Sequence, residues 1–297
     1  MSLSTRDTTV DLTSASVQSR DQLTDRVIVL DAGHAARNYW SDLWRFRDLF
    51  MILAWRDLAV RHKQTVMGVA WSLIRPLATV VIFTFVFGRV AKLPSDGSAP
   101  YPLMVFAGLL PWTLMTNIIG QTCGAVQNNA ALMNKVYFPR LILPAATVAV
   151  SLVDAGISLV LLLAMMAWFG FWPDWRILFL PVLIALALLA SLGPALWVTA
   201  VNVKYRDFQY VVGFALQFGL YISPVGFSSS AIPQQWRLLY SLNPAVGVID
   251  GFRWCLFRGE AQLYMPGLIF SVAITAVVLW AGIAYFRKAE RTFVDLI

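Results

Sequence analysis

Apolar residues in this chain gather into long runs separated by short polar breaks. Six runs, roughly 66–88, 102–122, 141–169, 177–201, 208–227 and 266–286, predict membrane-crossing helices, because about 20 mostly apolar residues are needed to cross a bilayer. The breaks differ in kind. Residues 90–101 hold Pro94, Gly97 and Pro100, and 170–176 is a tight turn. The stretch 228–265 is longer, moderately apolar and interrupted by Pro233 and Pro244. Trp236, Leu238, Leu239 and Tyr240 suggest one short helix there, and Val246 to Leu256 a second. Irregular backbone at membrane depth must be covered by protein or a watery cavity. The expectation for 228–265 is a pair of short re-entrant or interfacial helices on the outer side, with an ordinary external loop as the alternative.

Ahead of the first run, residues 40–63 are charged and aromatic. Leu43, Phe46, Phe50 and Leu53 share a helical face, Arg45 and Asp48 lie opposite, and Asp57 and Arg61 are four apart. This predicts an interfacial helix along the inner leaflet; a solvated charged linker is the alternative. Residues 1–36 are rich in Ser, Thr, Asp and Gln near their start and carry no apolar core of a signal peptide. They are expected to be a disordered cytoplasmic tail, leaving 37–297 as one polytopic domain. The fold class is therefore all-α and integral to the membrane, with six spans.

Composition strengthens this picture. A hydrophobic content of 59% over 297 residues exceeds what one water-soluble core conceals. The net charge of +7 sits largely at helix ends, which points to topology and anionic lipid rather than nucleic acid. With the N-terminus in the cytoplasm, the inner side receives Arg37, Arg45, Arg47, Arg56, Arg61, Lys63, Arg75, Lys135, Arg140, Lys204, Arg206, Arg287, Lys288 and Arg291. The outer side receives only Arg89, Lys92, Arg176, Arg237, Arg253 and Arg258. The imbalance places both termini inside.

Candidate chemistry is sparse. No phosphate-binding loop, zinc-protease, nucleophile-elbow or paired-cysteine motif occurs. Cys123 and Cys255 lack metal spacing and read as small buried residues; His34 and His62 cannot make a metal site between them. Asp154 lies within the third run with no basic partner evident in the sequence. Such an acid is a functional candidate, though a hydrogen-bonded structural role suits it too, as it does Asp250. Aromatic residues are abundant. Trp40, Trp112, Trp168, Trp172 and Trp175 fall at run ends and suit interfacial belts. Phe83 and Phe87 are four apart; Phe214, Phe218 and Tyr221 are spaced i, i+4, i+7, with Gln217 beside them. Such a stripe can be packing or lipid contact. It can also line a path along which sugar rings stack, since C–H-rich ring faces suit aromatic surfaces.

A set of short motifs, in order, resembles the polysaccharide-export permeases of ABC transporters, which move O-antigen, capsule or teichoic-acid polymers. The motifs are Trp55-Arg-Asp-Leu58, Arg61-His-Lys-Gln-Thr65, Gly68, Trp71, Arg75-Pro-Leu77, Gly108-Leu-Leu-Pro-Trp112, Asn134-Lys-Val-Tyr-Phe-Pro-Arg140, Leu143-Pro144, Val203-Lys-Tyr-Arg-Asp207, Ser223-Pro224 and Leu242-Asn-Pro244. The resemblance covers roughly 40–290.

The resemblance implies a homodimer in the bacterial inner membrane, paired with two separate ATPase subunits that bind ATP and Mg, so that this chain needs no cofactor of its own. It implies a tunnel at the dimer interface lined by Phe83, Phe87, Phe214, Gln217, Phe218 and Tyr221. The ATPase would be contacted through the segment before the first span and through Asn134, Lys135, Tyr137, Phe138, Pro139 and Arg140. Trp236, Tyr240, Asn243 and Pro244 would belong to an outer gate. The substrate would be a glycan on a polyprenyl pyrophosphate, whose head would meet Arg56, Arg61, Lys63 and Arg75; positive-inside anchoring is the plainer role for these four. A permease for a small lipid or drug is the nearest alternative, followed by a membrane-bound glycan-modifying enzyme and a proton-coupled carrier using Asp154.

Overall fold

The computed structural model describes residues 43–63, 68–133, 135 and 138–290, with the side chains of 62, 63 and 69 left out. The expected tail, Trp40, Asn134, Tyr137 and Arg291 lie outside the described residues, as does the Lys63 side chain. The chain divides into two units, Met1–Trp44 and Arg45–Ile297; only the second is treated below.

Its elements are helical throughout the described residues. Helix α1 (Arg47–Lys63) is followed by α2 (Gly68–Phe83), which passes directly into a wider π-helical turn at Thr84–Val90. Helix α3 (Tyr101–Asn128) is followed by the one-turn α4 (Ala130–Met133), α5 (Ile142–Trp168) and α6 (Leu180–Lys204). Then come α7 (Phe208–Ile222), α8 (Gln234–Tyr240), α9 (Pro244–Leu256) and α10 (Met265–Glu290).

Among the described residues, five helical segments are long and apolar enough to cross a membrane: Ala70–Val90, Tyr101–Asn128, Ile142–Trp168, Trp175–Lys204 and Met265–Glu290. The expected fifth span, 208–227, forms a helix of only 15 residues, about 22 Å at 1.5 Å per residue. Pro224 explains the early stop: a proline disfavours helix in the residue before it, and Ser223 is extended. Beyond it the chain turns inward, and Ser223 and Val225 are fully buried.

Prolines and caps set the other boundaries. Pro102 and Pro181 lie in the first turns of α3 and α6, where a missing N–H is harmless. At α9, Pro244 follows Asn243, whose side chain accepts from Ala245 N at 3.1 Å.

Helix α3 forms the centre, with one face on α5 and another on α6, and α6 packs in turn along α10. Backbones meet most closely where α6 and α10 cross. A Cβ on Gly193 would lie 2.7 Å from Val278 O, and one on Gly282 would run into the Gly193 carbonyl. Small residues let membrane helices approach this way. Polar groups cross-link the centre as well. Thr199 Oγ1 donates to Thr122 O (2.9 Å), Asn202 Nδ2 to Cys123 O (2.9 Å) and Gln127 Nε2 to Asn202 O (2.7 Å). Cys123 and Cys255 are buried thiols, as expected.

The bundle has two distinct ends. At the lower one, the connection 129–141 meets the last turn of α10: Arg140 N donates to Glu290 Oε1 (3.0 Å), and the Arg140 guanidinium donates to Glu290 O. At the upper end lie 91–100, 169–174 and 223–264. There Ser98 N donates to Glu260 Oε2 (2.7 Å), which holds that exposed carboxyl below its ordinary range, and Arg258 Nε donates to Trp172 O (2.7 Å).

Candidate functional site

Three places gather the candidate residues. The first is a pair of cavities beside α1, toward the lower end. The expected face of α1 is the one that packs: Phe46, Phe50 and Leu53 turn inward, with Leu53 buried, while Met51, Ile52, Trp55 and Val60 are exposed. Helix α1 lies against α5. That contact places Arg61 Nη2 2.8 Å from Asp154 Oδ2. The sequence reading left Asp154 without a basic partner, and the structure corrects this. The partner escaped notice because it lies outside the spans and far away along the chain.

Arg61 borders both cavities. One, of about 500 Å³, is lined by Arg56, Asp57, Arg61, Gln121, Asn128, Asn129, Thr147 and Gln209 among others. The other, of about 330 Å³, is lined by Arg61, Trp71, Arg75, Thr79, Thr113, Asn117, Asp154 and Ser158 among others. Arg56 reaches across to Asn129 Oδ1 (2.8 Å) and pairs with Asp57 (2.8 Å). The Arg75 guanidinium lies 5.9 Å from the Trp71 ring centre. Three of the four basic residues grouped from sequence thus share one polar region.

The second place is an aromatic face on α7. Phe214, Phe218 and Tyr221 are 63%, 51% and 58% exposed, and Gln217 is exposed beside them. The Phe214 and Phe218 rings are 4.3 Å apart between centres. Phe83 differs from these: it is buried, packs edge-to-face on Phe87 (5.3 Å) and lies 6.2 Å from the Tyr221 ring. It supports the face from beneath. Only Val212 of α7 is buried. Gly219 allows the approach of Trp112, since a Cβ there would stand 2.7 Å from that indole. Trp112 is therefore a packing residue and not the belt residue the sequence suggested. Trp168, Trp172 and Trp175 do remain exposed.

The third place is the upper end. Helices α8 and α9 are the two short pieces expected within 228–265. Trp236 is exposed, Tyr240 donates to Ile222 O (2.7 Å), and Asn243 Nδ2 donates to Ser223 Oγ (2.9 Å). Pro244, the remaining residue of that group, opens α9. What the sequence missed is Arg253. It was counted among external charges, yet it is fully buried. Its guanidinium donates to Val225 O (2.9 Å), Phe227 O (2.9 Å) and Met104 O (3.3 Å), and stands 3.3 Å from Asp96 Oδ2. Asp250, one turn earlier, accepts from Ser229 Oγ at 2.7 Å. Burial pushes its carboxyl up from the ordinary range, against the opposing pull of Ser229 and Arg253. Tyr101 Oη donates to Gly226 O. A single cation thus ties α3, α9 and the turn at 225–227 together. No sequence period marks Arg253; the only hint is a charge inside an apolar helix.

The connection 129–141 is the remaining candidate. Lys135 is exposed, whereas Phe138 and Pro139 are buried and Arg140 holds α10 as described.

A membrane bundle of this order, with its basic connection, short α7 and doubled upper helices, agrees with what homology indicates. The ABC-2 type transporter profile matches residues 48–257. The chain belongs to the ABC-2 type transporter family. Among its relatives, an O-antigen export system permease protein RfbA of Myxococcus xanthus is 27% identical over 258 residues, covering 86% of this chain and 98% of that protein. A protein of the same name from Klebsiella pneumoniae is 23% identical, covering 84% and 95%. The polysialic acid transport protein KpsM of Escherichia coli is 25% identical, covering 80% and 91%. This ABC-2 chain is accordingly a multi-pass membrane protein of the permease type, similar to permeases of export systems.

Proposed function

We propose that this chain is the transmembrane half of an ATP-driven exporter that moves lipid-linked polysaccharide, O-antigen-like in kind, across the bacterial inner membrane. The observation that carries the reading is the α7 face. It is a ladder of exposed rings on a helix with one buried residue, and it ends where the chain folds under the upper helices. In a dimer, two such faces enclose a ring-lined path. Stacking without fixed charge lets a polymer slide, and a polymer too long to enclose needs a continuous tunnel.

Two ATPase subunits bind ATP and Mg outside this polypeptide and act through α1 and the 129–141 connection. Both termini lie in the cytoplasm, so the lower end is the inner one and the upper helices form the outer gate. Arg56, Arg61 and Arg75 receive the pyrophosphate head of the carrier. ATP-driven closure of the ATPases shifts the population from closed to open tunnels. The relatives named for O-antigen and polysialic acid support this substrate class.

The test is co-purification and export in a glycan-producing host. An ATPase subunit is expected to purify with the chain, and cells lacking that subunit are expected to retain the glycan inside. Full export by this chain alone would sink the reading.

A further inference from the structure

A third cavity, of about 290 Å³, opens among α8, α9 and the stretch leading into α10, lined by Ser229, Arg237, Tyr240, Asp250, Gln262 and Tyr264 among others. Several of these side chains are fixed by bonds to neighbouring backbone. Arg237 donates through Nε to Ile232 O and through Nη2 to Ser230 O, both at 2.9 Å, and Tyr240 is tied to Ile222 O. Gly267 makes room for Tyr264, since a Cβ there would stand 2.5 Å from that ring.

Polar capacity is left over around this space. Asp250 is only 7% exposed, and Ser229 bonds just its Oδ2. Among the described residues, Oδ1 has no donor, Arg237 Nη1 has no acceptor, and the Gln262 amide and Tyr264 hydroxyl have no hydrogen-bond partner. A deeply buried carboxylate oxygen without a donor is unusual, and here it lines the same cavity as three other unmatched groups. Charge narrows what can fill the space. The carboxylate disfavours an anion. The Arg237 and Arg253 charges that act on Asp250 disfavour a metal cation. A neutral molecule rich in hydroxyls meets neither penalty: it donates to Oδ1 and accepts from Nη1. Val246, Leu263 and the tyrosine rings supply apolar wall for a C–H face. The volume lies at the small end of ligand pockets, about 300 Å³, which suits one sugar ring.

We propose that this cavity binds one neutral sugar unit of the glycan at the outer mouth, through Asp250, Arg237, Gln262 and Tyr264. This rests on the export reading above and adds a sugar site at its outer end. Because those residues belong to α8, α9 and the approach to α10, an occupied site ties the helices of the outer gate together.

Saturation-transfer NMR on the full-length chain in lipid nanodiscs tests this with mannotriose, galactotriose and trigalacturonate. Saturable binding of at least one neutral trisaccharide is expected, with trigalacturonate about tenfold weaker than the better of them. Asp250→Asn is expected to weaken the neutral sugar about tenfold, the scale of one hydrogen bond to a charged group. Gln262→Ala, at an exposed residue, and Tyr264→Phe are expected to weaken it about threefold each; these two decide if Asp250→Asn does not fold. No saturable binding of either neutral sugar overturns the proposal. So does binding that the cavity variants leave unchanged, which would belong to the α7 face or to lipid. Trigalacturonate bound as tightly as the neutral sugars overturns the ligand class. The export reading fails separately: a chain that exports glycan but binds no trisaccharide loses this site alone, whereas cavity binding by a chain that exports nothing keeps the site and sinks that reading.

Discussion

Helices α7 and α9 are nearly equal in length, and both are apolar, yet the fold treats them in opposite ways. In α9, eleven of 13 residues are buried, including Asp250 and Arg253. In α7 one of 15 is buried, and the rings face outward. An apolar sequence alone therefore does not decide burial in a membrane protein, because lipid accepts such a surface as readily as a core does. What decides is whether polar groups demand company. The Arg253 charge draws carbonyls from two other segments around it, and the helix that bears it is enclosed in consequence. Helix α7 carries no charge and leaves its face open for lipid or another protein surface.

The contrast can be broken at either helix. Replacing Arg253 by Met in α9 leaves Asp96 and three carbonyls without their donor; loss of one member of a buried pair costs about 3–5 kcal/mol. A large drop in thermal stability of the purified protein is the expected result. A native melting temperature would mean that the upper end is held by packing alone. In α7 the sensitive position is Gly219, where a Leu side chain collides with Trp112; overpacking of this kind costs about 1–3 kcal/mol. Limited proteolysis near 205–207 is expected to accelerate as α7 detaches, and an unchanged rate would argue that Trp112 simply rotates away.

Removing exposed rings should do the reverse of these. Phe218→Ala with Tyr221→Ala is expected to alter stability by about 0.5 kcal/mol or less, as for other exposed sites, while export of glycan falls sharply. Normal export would return those rings to lipid contact. The smallest effect concerns Asp250. Its carboxyl is pushed up, so the fold favours the protonated form. Its stabilising contribution is present below the ordinary aspartate pKa of about 3.9, fades as pH rises toward the raised value, and is absent above it. Asp250→Asn is expected to flatten that decline in a pH series of melting curves; an identical slope would place the titration elsewhere.

The spans were legible because their signal is additive: twenty apolar residues outweigh any local exception. Residues 208–227 misled because the apolar run continues past Pro224, and hydropathy does not register a backbone that turns inward there. The short upper helices were legible from Pro233 and Pro244 for the opposite reason, since proline acts locally. Ion pairs were not legible. Asp96 with Arg253, and Arg61 with Asp154, join residues remote in sequence, and neither charge announces its partner. The aromatic spacing on α7 revealed a shared face but not its direction, and burial separated Phe83 from its neighbours.

Glu290 closes the last helix onto Arg140, and α10 runs from that clasp to the floor beneath α9. Any tension applied at 129–141 is therefore delivered along a rod about 39 Å long (26 residues at 1.5 Å each). If the proposed coupling acts through 129–141, the final helical turn is its drawbar, and trimming the chain before residue 290 is expected to uncouple it while leaving the other spans in place.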